Sequence, residues 1–182
     1  SLHDALPICV GKLLGFEHAM KSGIGTCGIQ VGDLQVAAIV AVNACGNVVD
    51  YETNELLAGV YDSHSGSVLK AQDVLFQQMD ALRKLPEGNT TIGCFVTNAK
   101  LDKAQCTKIA GIAHNGYARA IHPVHTMSDG DSIFVLSSGE VEVMADAVGM
   151  LATEMMAKAI KRAVLHAESA YGLPAHSDVI CK

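Results

Sequence analysis

The second half of the chain alternates strand-like and helix-like segments, and this order restricts the fold more than any other feature. Two β-branched apolar runs are each followed by a segment with apolar residues at helical spacing. Strands and helices that follow one another in this way pack as layers, so the sequence predicts an α/β domain. The four segments are a strand at 90–99, a helix at 101–121, a strand at 132–138 and a long helical pattern at 141–170.

The first half is richer in strands and weaker in pattern. Two β-rich runs occupy 23–50 and meet at a turn, "VGD", and the second run reads "LQVAAIVAVNA". Because this run is almost continuously apolar, it predicts a strand that is covered on both faces. Residues 10–22 are predicted to be a short connecting segment. Residues 51–88 are predicted to contain a loop at "DSHSGS", a short helix at 74–85 and a mobile linker.

Composition limits the classes of function. The chain has 182 residues, enough for one domain with a sizeable core, and a net charge of −6 without a basic stripe. The acidic balance and the absence of tryptophan argue against nucleic acid and anionic membranes as partners. No apolar run reaches the roughly 18 residues of a membrane span. The six cysteines are scattered and form no CxxC pair, which favours a reducing compartment, the cytoplasm, over a disulfide framework; the oxidising periplasm is the alternative location.

The first eight residues, "SLHDALPI", match the translation of a sequencing-adapter oligonucleotide. We therefore interpret residues 1–8 as an assembly scar and leave them out of the fold prediction. The natural sequence is then expected to begin near Cys9, inside a longer protein.

The stretch "GNTTIG", residues 88–93, carries the main chemical hypothesis. A threonine inside a chain has no adjacent base, whereas a threonine at a chain start carries its own α-amine, with a reference pKa of about 7.7–8.0. Thr90 would gain that amine if its hydroxyl attacked the Asn89 carbonyl and the bond between them were then hydrolysed. On spacing alone, the same residues also fit a turn before a strand, or a glycosylation sequon.

Several longer motifs in a fixed order narrow these alternatives. From Asn89 the chain reads "NTTIGCFVTNAKLDKAQCTKIAGIAHNGYARAIHPVHTMSDGDSIFVLSSG", and upstream it reads "KSGIGTCGI" and "VAAIVAVNACGNVVD". From about Lys21 to its end, the chain resembles the family of L-aminopeptidase/D-esterases, β-aminopeptidases and nylon-oligomer hydrolases. Ser22 and Cys27 depart from the glycine and the small residue that are usual at those positions.

The resemblance implies a four-layer αββα sandwich that forms one structural domain and is incomplete here at its N-terminus. It implies a precursor that cuts itself between Asn89 and Thr90, so that 9–89 ends the α chain and 90–182 forms the β chain. Members of the family release N-terminal residues from small peptides, amides and esters, or cut synthetic amide oligomers. They are homo-oligomers, tetramers among them, and the resemblance implies neither a metal nor an organic cofactor.

The resemblance also assigns roles to individual residues. Thr90 takes the place of the nucleophile, and Asn43 that of an asparagine whose amide donates to the reacting carbonyl. Asp129 and Asp131, in "SDGD", match acidic positions that orient the nucleophile and bind its ammonium or the amine of a substrate. Lys21 matches a lysine near the site. Without the resemblance, the asparagine and the two aspartates would fit turns, and Lys21 would fit a solvated charge.

Other interpretations stay open at this point. An acyltransferase of the ornithine acetyltransferase type also matures at a threonine, but it passes the acyl group to an amine. An inactive truncated fragment would neither cut itself nor turn over a substrate. His114, His122 and His125 are near one another, but no acidic or cysteine spacing typical of zinc accompanies them. Tyr117 and Arg119 are expected to support the site from a helix.

Overall fold

The computed structural model describes residues 8–79 and 88–180, and its centre is a four-stranded sheet with two helices on one face. In chain order, the elements are β1 (Cys9–Val10), β2 (Met20–Lys21), β3 (Ile24–Val31), β4 (Leu34–Ala41), β5 (Asn47–Val49), β6 (Leu56–Ala58), β7 (Val60–Asp62), β8 (Ser67–Leu69), α1 (Ala71–Gln77), β9 (Ile92–Ala99), α2 (Lys103–Ala120), β10 (Ile121–His122), β11 (Ser132–Val141), α3 (Ala145–Leu165) and α4 (His176–Val179). Two 3₁₀ turns, Lys12–Leu14 and Phe16–His18, separate β1 from β2. The strands and helices predicted in the second half are confirmed as β9, α2, β11 and α3.

The central sheet joins the two halves of the chain. Its strand order is β11-β9-β4-β3, so β4 from the first half lies beside β9 from the second. β3 and β4 form an antiparallel hairpin, β4 and β9 are antiparallel, and β9 and β11 are parallel. The turn predicted at "VGD" is confirmed, with Gly32 in the left-handed region at φ +60°. Thr90 therefore lies at the entrance to a central strand.

Helices α2 and α3 cover one face of this sheet and supply much of the core. Phe95 of β9 is fully buried, as are Tyr117 of α2 and Met156 of α3. The contact with the sheet is close, because a Cβ on Gly25 of β3 would lie 1.9 Å from the Ala159 carbonyl oxygen of α3. A glycine at this position is therefore required for α3 to rest directly on the strand backbone.

Helix α2 begins with a complete capping box. The Asp102 carboxylate accepts the Gln105 backbone N–H at 2.7 Å, and the Gln105 side-chain oxygen accepts the Asp102 N–H at 2.9 Å. Both N–H groups lack a partner within the helix, so the two side chains satisfy them reciprocally. Asp102 is therefore the N-cap residue of α2.

Removing this cap should weaken the fold measurably. We expect Asp102→Ala to lower the free energy of unfolding by about 1 kcal/mol, because the Gln105 N–H loses its acceptor. Urea unfolding followed by circular dichroism measures the difference. Asp33→Ala, which removes a carboxylate from the exposed turn between β3 and β4, is the control, and an equal loss there would contradict the capping explanation.

The opposite face of the central sheet is apolar and exposed. Along β4, buried and exposed residues alternate, so the prediction that this strand is covered on both faces is wrong for the described residues. Both of its faces are nevertheless apolar, which explains the nearly continuous apolar sequence. A four-layer sandwich places a second sheet against such a face. This apolar sheet face is formed by Ile24, Ile39, Ile92, Val96, Phe134 and Leu136.

Three smaller sheets come from segments with weak sequence patterns. β5 pairs with both β6 and β10, β1 pairs with β2, and β7 pairs with β8. The predicted loop "DSHSGS" contains the turn between β7 and β8, and the helix predicted at 74–85 overlaps α1. Residues 80–87 lie outside the described residues, as do residues 1–7 of the expected scar and Cys181. Among the described helices, none combines the length and the apolar character needed to cross a membrane.

Candidate active site

Thr90 lies just before β9 and is held by backbone hydrogen bonds on both sides. Its N–H donates to the Asn43 carbonyl oxygen at 2.8 Å, just beyond the end of β4. The carbonyl of the next residue, Thr91, accepts the Ser132 N–H of β11 at 3.1 Å. The strand arrangement therefore fixes Thr90 between the loop that follows β4 and the loop that precedes β11.

The peptide bond before Thr90 has two donors at its carbonyl oxygen. The Thr90 hydroxyl donates to the Asn89 carbonyl oxygen at 2.6 Å, and the Gly130 backbone N–H donates to the same oxygen at 2.9 Å. Gly130 is so close that a Cβ there would lie 2.8 Å from Thr90 Oγ1. The hydroxyl thus lies beside a carbonyl that a backbone N–H already polarises, as an acyl shift requires.

Asn43 and a buried lysine complete the upstream side of the group. Asn43 Nδ2 donates to the Gly88 carbonyl oxygen at 2.9 Å, and Lys12 Nζ donates to Asn43 Oδ1 at 2.7 Å and to the Gly88 carbonyl oxygen at 3.4 Å. Lys12 is only 3% exposed, and this burial lowers its pKa, although the charges of nearby ionisable groups oppose the shift. Because the ammonium binds Oδ1, it orients the amide of Asn43 with its N–H groups toward the segment before Thr90.

The two aspartates of "SDGD" approach Thr90 from the other side. Asp131 Oδ1 accepts the Thr91 N–H at 2.9 Å, and Asp129 forms a β-bridge with Asn89. Asp129 Oδ2 also accepts the Thr126 N–H at 2.7 Å, within its own turn. For Asp129, a role in the turn and a place beside the Asn89–Thr90 segment are therefore compatible.

Lys21 contacts a different part of the chain. Its ammonium donates to the carbonyl oxygens of Ile8, at 3.0 Å, and of Ser22. The lysine that the structure brings to Asn43 is Lys12, which lies in a segment expected only to connect. Its signal in the sequence is the pair of glycines in "GKLLG", which adopt φ values of +75° and +116° around the 3₁₀ turn.

The helical residues expected to support the site fall into two groups. Tyr117 is fully buried, and its hydroxyl donates at 3.4 Å to the Ser132 carbonyl oxygen, at the start of β11. Arg119 instead approaches Glu154 of α3, at 4.0 Å.

The three histidines of this region have different neighbours. His122 Nε2 lies 3.1 Å from the Ala118 carbonyl oxygen, near the end of α2, whereas His114 and His125 pack beside Tyr117.

Replacing Lys12 by methionine is expected to separate function from stability. Methionine has a similar length but cannot donate to Asn43, so reactions at Thr90 should slow by about 10²-fold. The free energy of unfolding should not fall in parallel, because the substitution removes a buried charge. Gel analysis of self-cleavage and urea unfolding measure the two effects. Lys103→Met, at an exposed position of α2, is the control.

The same variant has a predicted pH signature. Burial lowers the pKa of Lys12 in the folded state, so below the unfolded value of about 10.4 the unfolded chain binds more protons. Stability therefore rises with pH from the folded pKa to the unfolded pKa, and it is lost as the pH falls through the folded pKa. We expect the parent to gain stability relative to Lys12→Met as the pH rises toward the unfolded value of about 10.4. A difference independent of pH would contradict this prediction.

Comparison with known families decides the assignment. The model described as "Peptidase family S58" matches residues 15–177 of the chain. The chain belongs to peptidase family S58. The resemblance inferred from the sequence motifs is thereby confirmed.

Two curated proteins similar to this S58 chain have names that describe an activity. The chain is 36% identical over 186 residues to an uncharacterized aminopeptidase of Mycobacterium tuberculosis, covering 88% of this chain and 53% of that protein. It is 29% identical over 159 residues to a 6-aminohexanoate-oligomer endohydrolase of Paenarthrobacter ureafaciens, covering 78% of this chain and 44% of that protein. The chain thus spans about half the length of the curated relatives it matches.

Solved structures similar to this S58 chain confirm the fold class. One is an L-aminopeptidase D-Ala-esterase/amidase from Ochrobactrum anthropi, described as a variant of the Ntn hydrolase fold. It has a TM-score of 0.56 and 18% identity, over 94% of this chain and 51% of that one. A Burkholderia β-aminopeptidase has a TM-score of 0.50 and 23% identity, over 87% of this chain and 47% of that one. At these identities the likeness concerns the fold.

Proposed function

We propose that this chain matures by cutting itself between Asn89 and Thr90, and that Thr90 then serves as the nucleophile of a hydrolase. The observation that carries the proposal is the pair of contacts at the Asn89 carbonyl oxygen. The Thr90 hydroxyl lies 2.6 Å from this oxygen, and the Gly130 N–H lies 2.9 Å from it. A nucleophilic hydroxyl and a donor for the developing negative charge meet at the bond that would break.

Self-cleavage transfers the acyl group of Asn89 from nitrogen to oxygen. Thr90 Oγ1 attacks the Asn89 carbonyl carbon, and the Gly130 N–H stabilises the charge that develops on the carbonyl oxygen. The C–N bond then breaks and the hydroxyl proton passes to the nitrogen, which leaves an ester and a free Thr90 amine. Water hydrolyses the ester to an Asn89 carboxylate and restores the Thr90 hydroxyl.

The freed amine supplies the base that an internal threonine lacks. It accepts the hydroxyl proton while Oγ1 attacks the carbonyl of a substrate. Asn43 Nδ2 and Lys12 Nζ, which donate to the Gly88 carbonyl before the cut, then become available to a substrate carbonyl. Asp129 and Asp131 place carboxylates near Thr90, which suits the ammonium of a substrate's first residue.

The proposed substrates are small peptides, amides or esters with a free amine near the bond that is cut. Two relatives support this class by their names, one an aminopeptidase and the other a 6-aminohexanoate-oligomer endohydrolase. The net charge of −6 and the carboxylates beside Thr90 favour a substrate with a positively charged amine over an anionic substrate. The reaction uses only side-chain and backbone groups, and water is the second substrate.

Intact-mass spectrometry of the purified chain tests the proposal. Self-cleavage should give two pieces whose summed mass exceeds that of the uncut chain by one water, with the second piece beginning at Thr90. Aminoacyl p-nitroanilides and a 6-aminohexanoate dimer then report hydrolysis, and an added amino-acid acceptor distinguishes hydrolysis from acyl transfer. A folded chain that stays uncut would contradict the proposal.

A further inference from the structure

His125 has a backbone conformation that histidine rarely adopts. Its φ is +57°, in the left-handed region, where residues other than glycine are disfavoured. Its ring packs edge-to-face on His114, with centroids 4.8 Å apart, and stacks on Tyr117 at 6.0 Å. Strain of this kind persists only where the surroundings hold the residue in place, and the two rings of α2 do so here.

The ring of His125 also contacts a carboxylate of the proposed site. His125 Nδ1 lies 2.9 Å from Asp131 Oδ2, and the Asp131 side chain is only 6% exposed. Oδ2 has no aligned hydrogen bond among the described residues, so the contact is one between charges when the imidazole is protonated. The other oxygen, Oδ1, accepts the Thr91 N–H at 2.9 Å. A chain of contacts thus leads from His125 through Asp131 to the peptide that follows Thr90.

We propose that His125 is a positioning residue for Thr90, acting through Asp131. In its protonated form the imidazole holds the Asp131 carboxylate, so that Oδ1 points at the Thr91 N–H. This contact fixes the backbone just before the first residue of β9. Without that positive charge, the hold on the carboxylate is weaker and Thr90 is less strictly aligned with the Asn89 carbonyl. The consequence for self-cleavage rests on the function proposed above, whereas the consequence for the Thr91 N–H does not.

The groups that face His125 allow this effect to be isolated. Asp131 faces it from the loop before β11, and Asp129 lies two residues earlier in that loop. From α2, it is faced by His114 and Tyr117. Burial lowers the pKa of His114, the charge of His125 lowers it further, and the Asp131 carboxylate opposes both. Burial raises the pKa of Tyr117, so the phenol keeps its proton. Histidine is the side chain that changes charge between about pH 5 and about pH 8. Substituting His125 therefore shows whether a pH dependence in this range comes from its imidazole.

His125→Asn is the informative variant, because asparagine tolerates the left-handed region but cannot carry the charge. The chains are made by cell-free translation, and self-cleavage is followed on denaturing gels at about pH 5.5 and about pH 8.5. We expect the variant to cut about fivefold more slowly than the parent at the lower pH, and at nearly the parent rate at the higher pH. His64→Asn, in the exposed turn between β7 and β8, should match the parent at both.

A second measurement does not depend on cleavage. In the uncut Thr90→Ala background, NMR follows hydrogen exchange of the Thr91 N–H with and without His125→Asn. The proposal predicts exchange about fivefold faster in the double variant at about pH 5.5, and little difference at about pH 8.5. If the parent never cuts, the proposed function fails while this exchange still decides the role of His125. A pH-independent effect of His125→Asn, or an equal effect of His64→Asn, would overturn the inference.

Discussion

Replacing Thr90 by alanine is expected to leave a single uncut chain of 182 residues. The parent, in contrast, should give one piece that ends at Asn89 and another that begins at Thr90. Alanine removes the hydroxyl that lies 2.6 Å from the Asn89 carbonyl oxygen, so the acyl group has no oxygen to move to. Hydrolysis of an aminoacyl anilide should fall on the order of 10⁶-fold, as is typical when a nucleophile is removed. Denaturing gels, intact mass and the anilide assay measure these effects.

The neighbouring threonine provides a matched control. Thr91 Oγ1 is buried and has no hydrogen-bond partner among the described residues. Thr91→Val therefore keeps the shape of the side chain and removes a hydroxyl that makes no hydrogen bond within the described part of the chain, so the variant should cut normally. Thr90→Ser keeps a hydroxyl on the correct carbon and should also cut. Cleavage in Thr90→Ala, or its loss in Thr91→Val, would show that the nucleophile is assigned to the wrong residue.

Gly130→Ala is expected to slow self-cleavage by about 10²- to 10³-fold. The added Cβ would lie 2.8 Å from Thr90 Oγ1, which is closer than such atoms pack. Either the hydroxyl rotates away from the Asn89 carbonyl, or the loop moves and withdraws the Gly130 N–H from the same oxygen. Both adjustments remove one of the two contacts on which the acyl shift depends. The rate of cleavage during cell-free translation measures the loss.

A second glycine separates this effect from general destabilisation. Gly111 lies on α2, and a Cβ added there meets no atom within 4 Å, so Gly111→Ala should cut like the parent. Hydroxylamine, which intercepts esters, identifies the blocked step. If Gly130→Ala prevents the ester from forming, hydroxylamine will not restore cleavage. If Gly130→Ala cuts at the parent rate, Gly130 contributes nothing to the reaction.

Local signals in the sequence were sufficient for the strands and helices of the second half. The capping residue Asp102 and the helical spacing after it predict α2, and the β-branched run after Thr90 predicts β9. Such signals depend only on residues that are close in sequence, so they can be recognised without knowing which distant segments pack against them. The motifs around Thr90, Asn43 and Asp131 likewise pointed to residues that the fold brings close together.

Other features depend on contacts between distant segments, which local patterns do not contain. Lys12 reaches Asn43 across 31 positions and Gly88 across 76, and a lone lysine in a sequence usually indicates a solvated charge. His125 and Asp131 lie in one loop, but the rings that hold His125 in place belong to His114 and Tyr117 of α2. The apolar run of β4 predicts a strand covered on both faces, because apolar side chains show that a face can be buried and not whether a neighbour covers it.

The pairing of β4 with β9 has a consequence for the matured molecule. These strands lie on opposite sides of the bond between Asn89 and Thr90, yet six consecutive residue pairs join them in the sheet. Severing that bond would leave two polypeptides that share one core, in effect a heterodimer with no linker. Its melting temperature should fall on dilution, whereas that of the uncut Thr90→Ala chain should be independent of concentration.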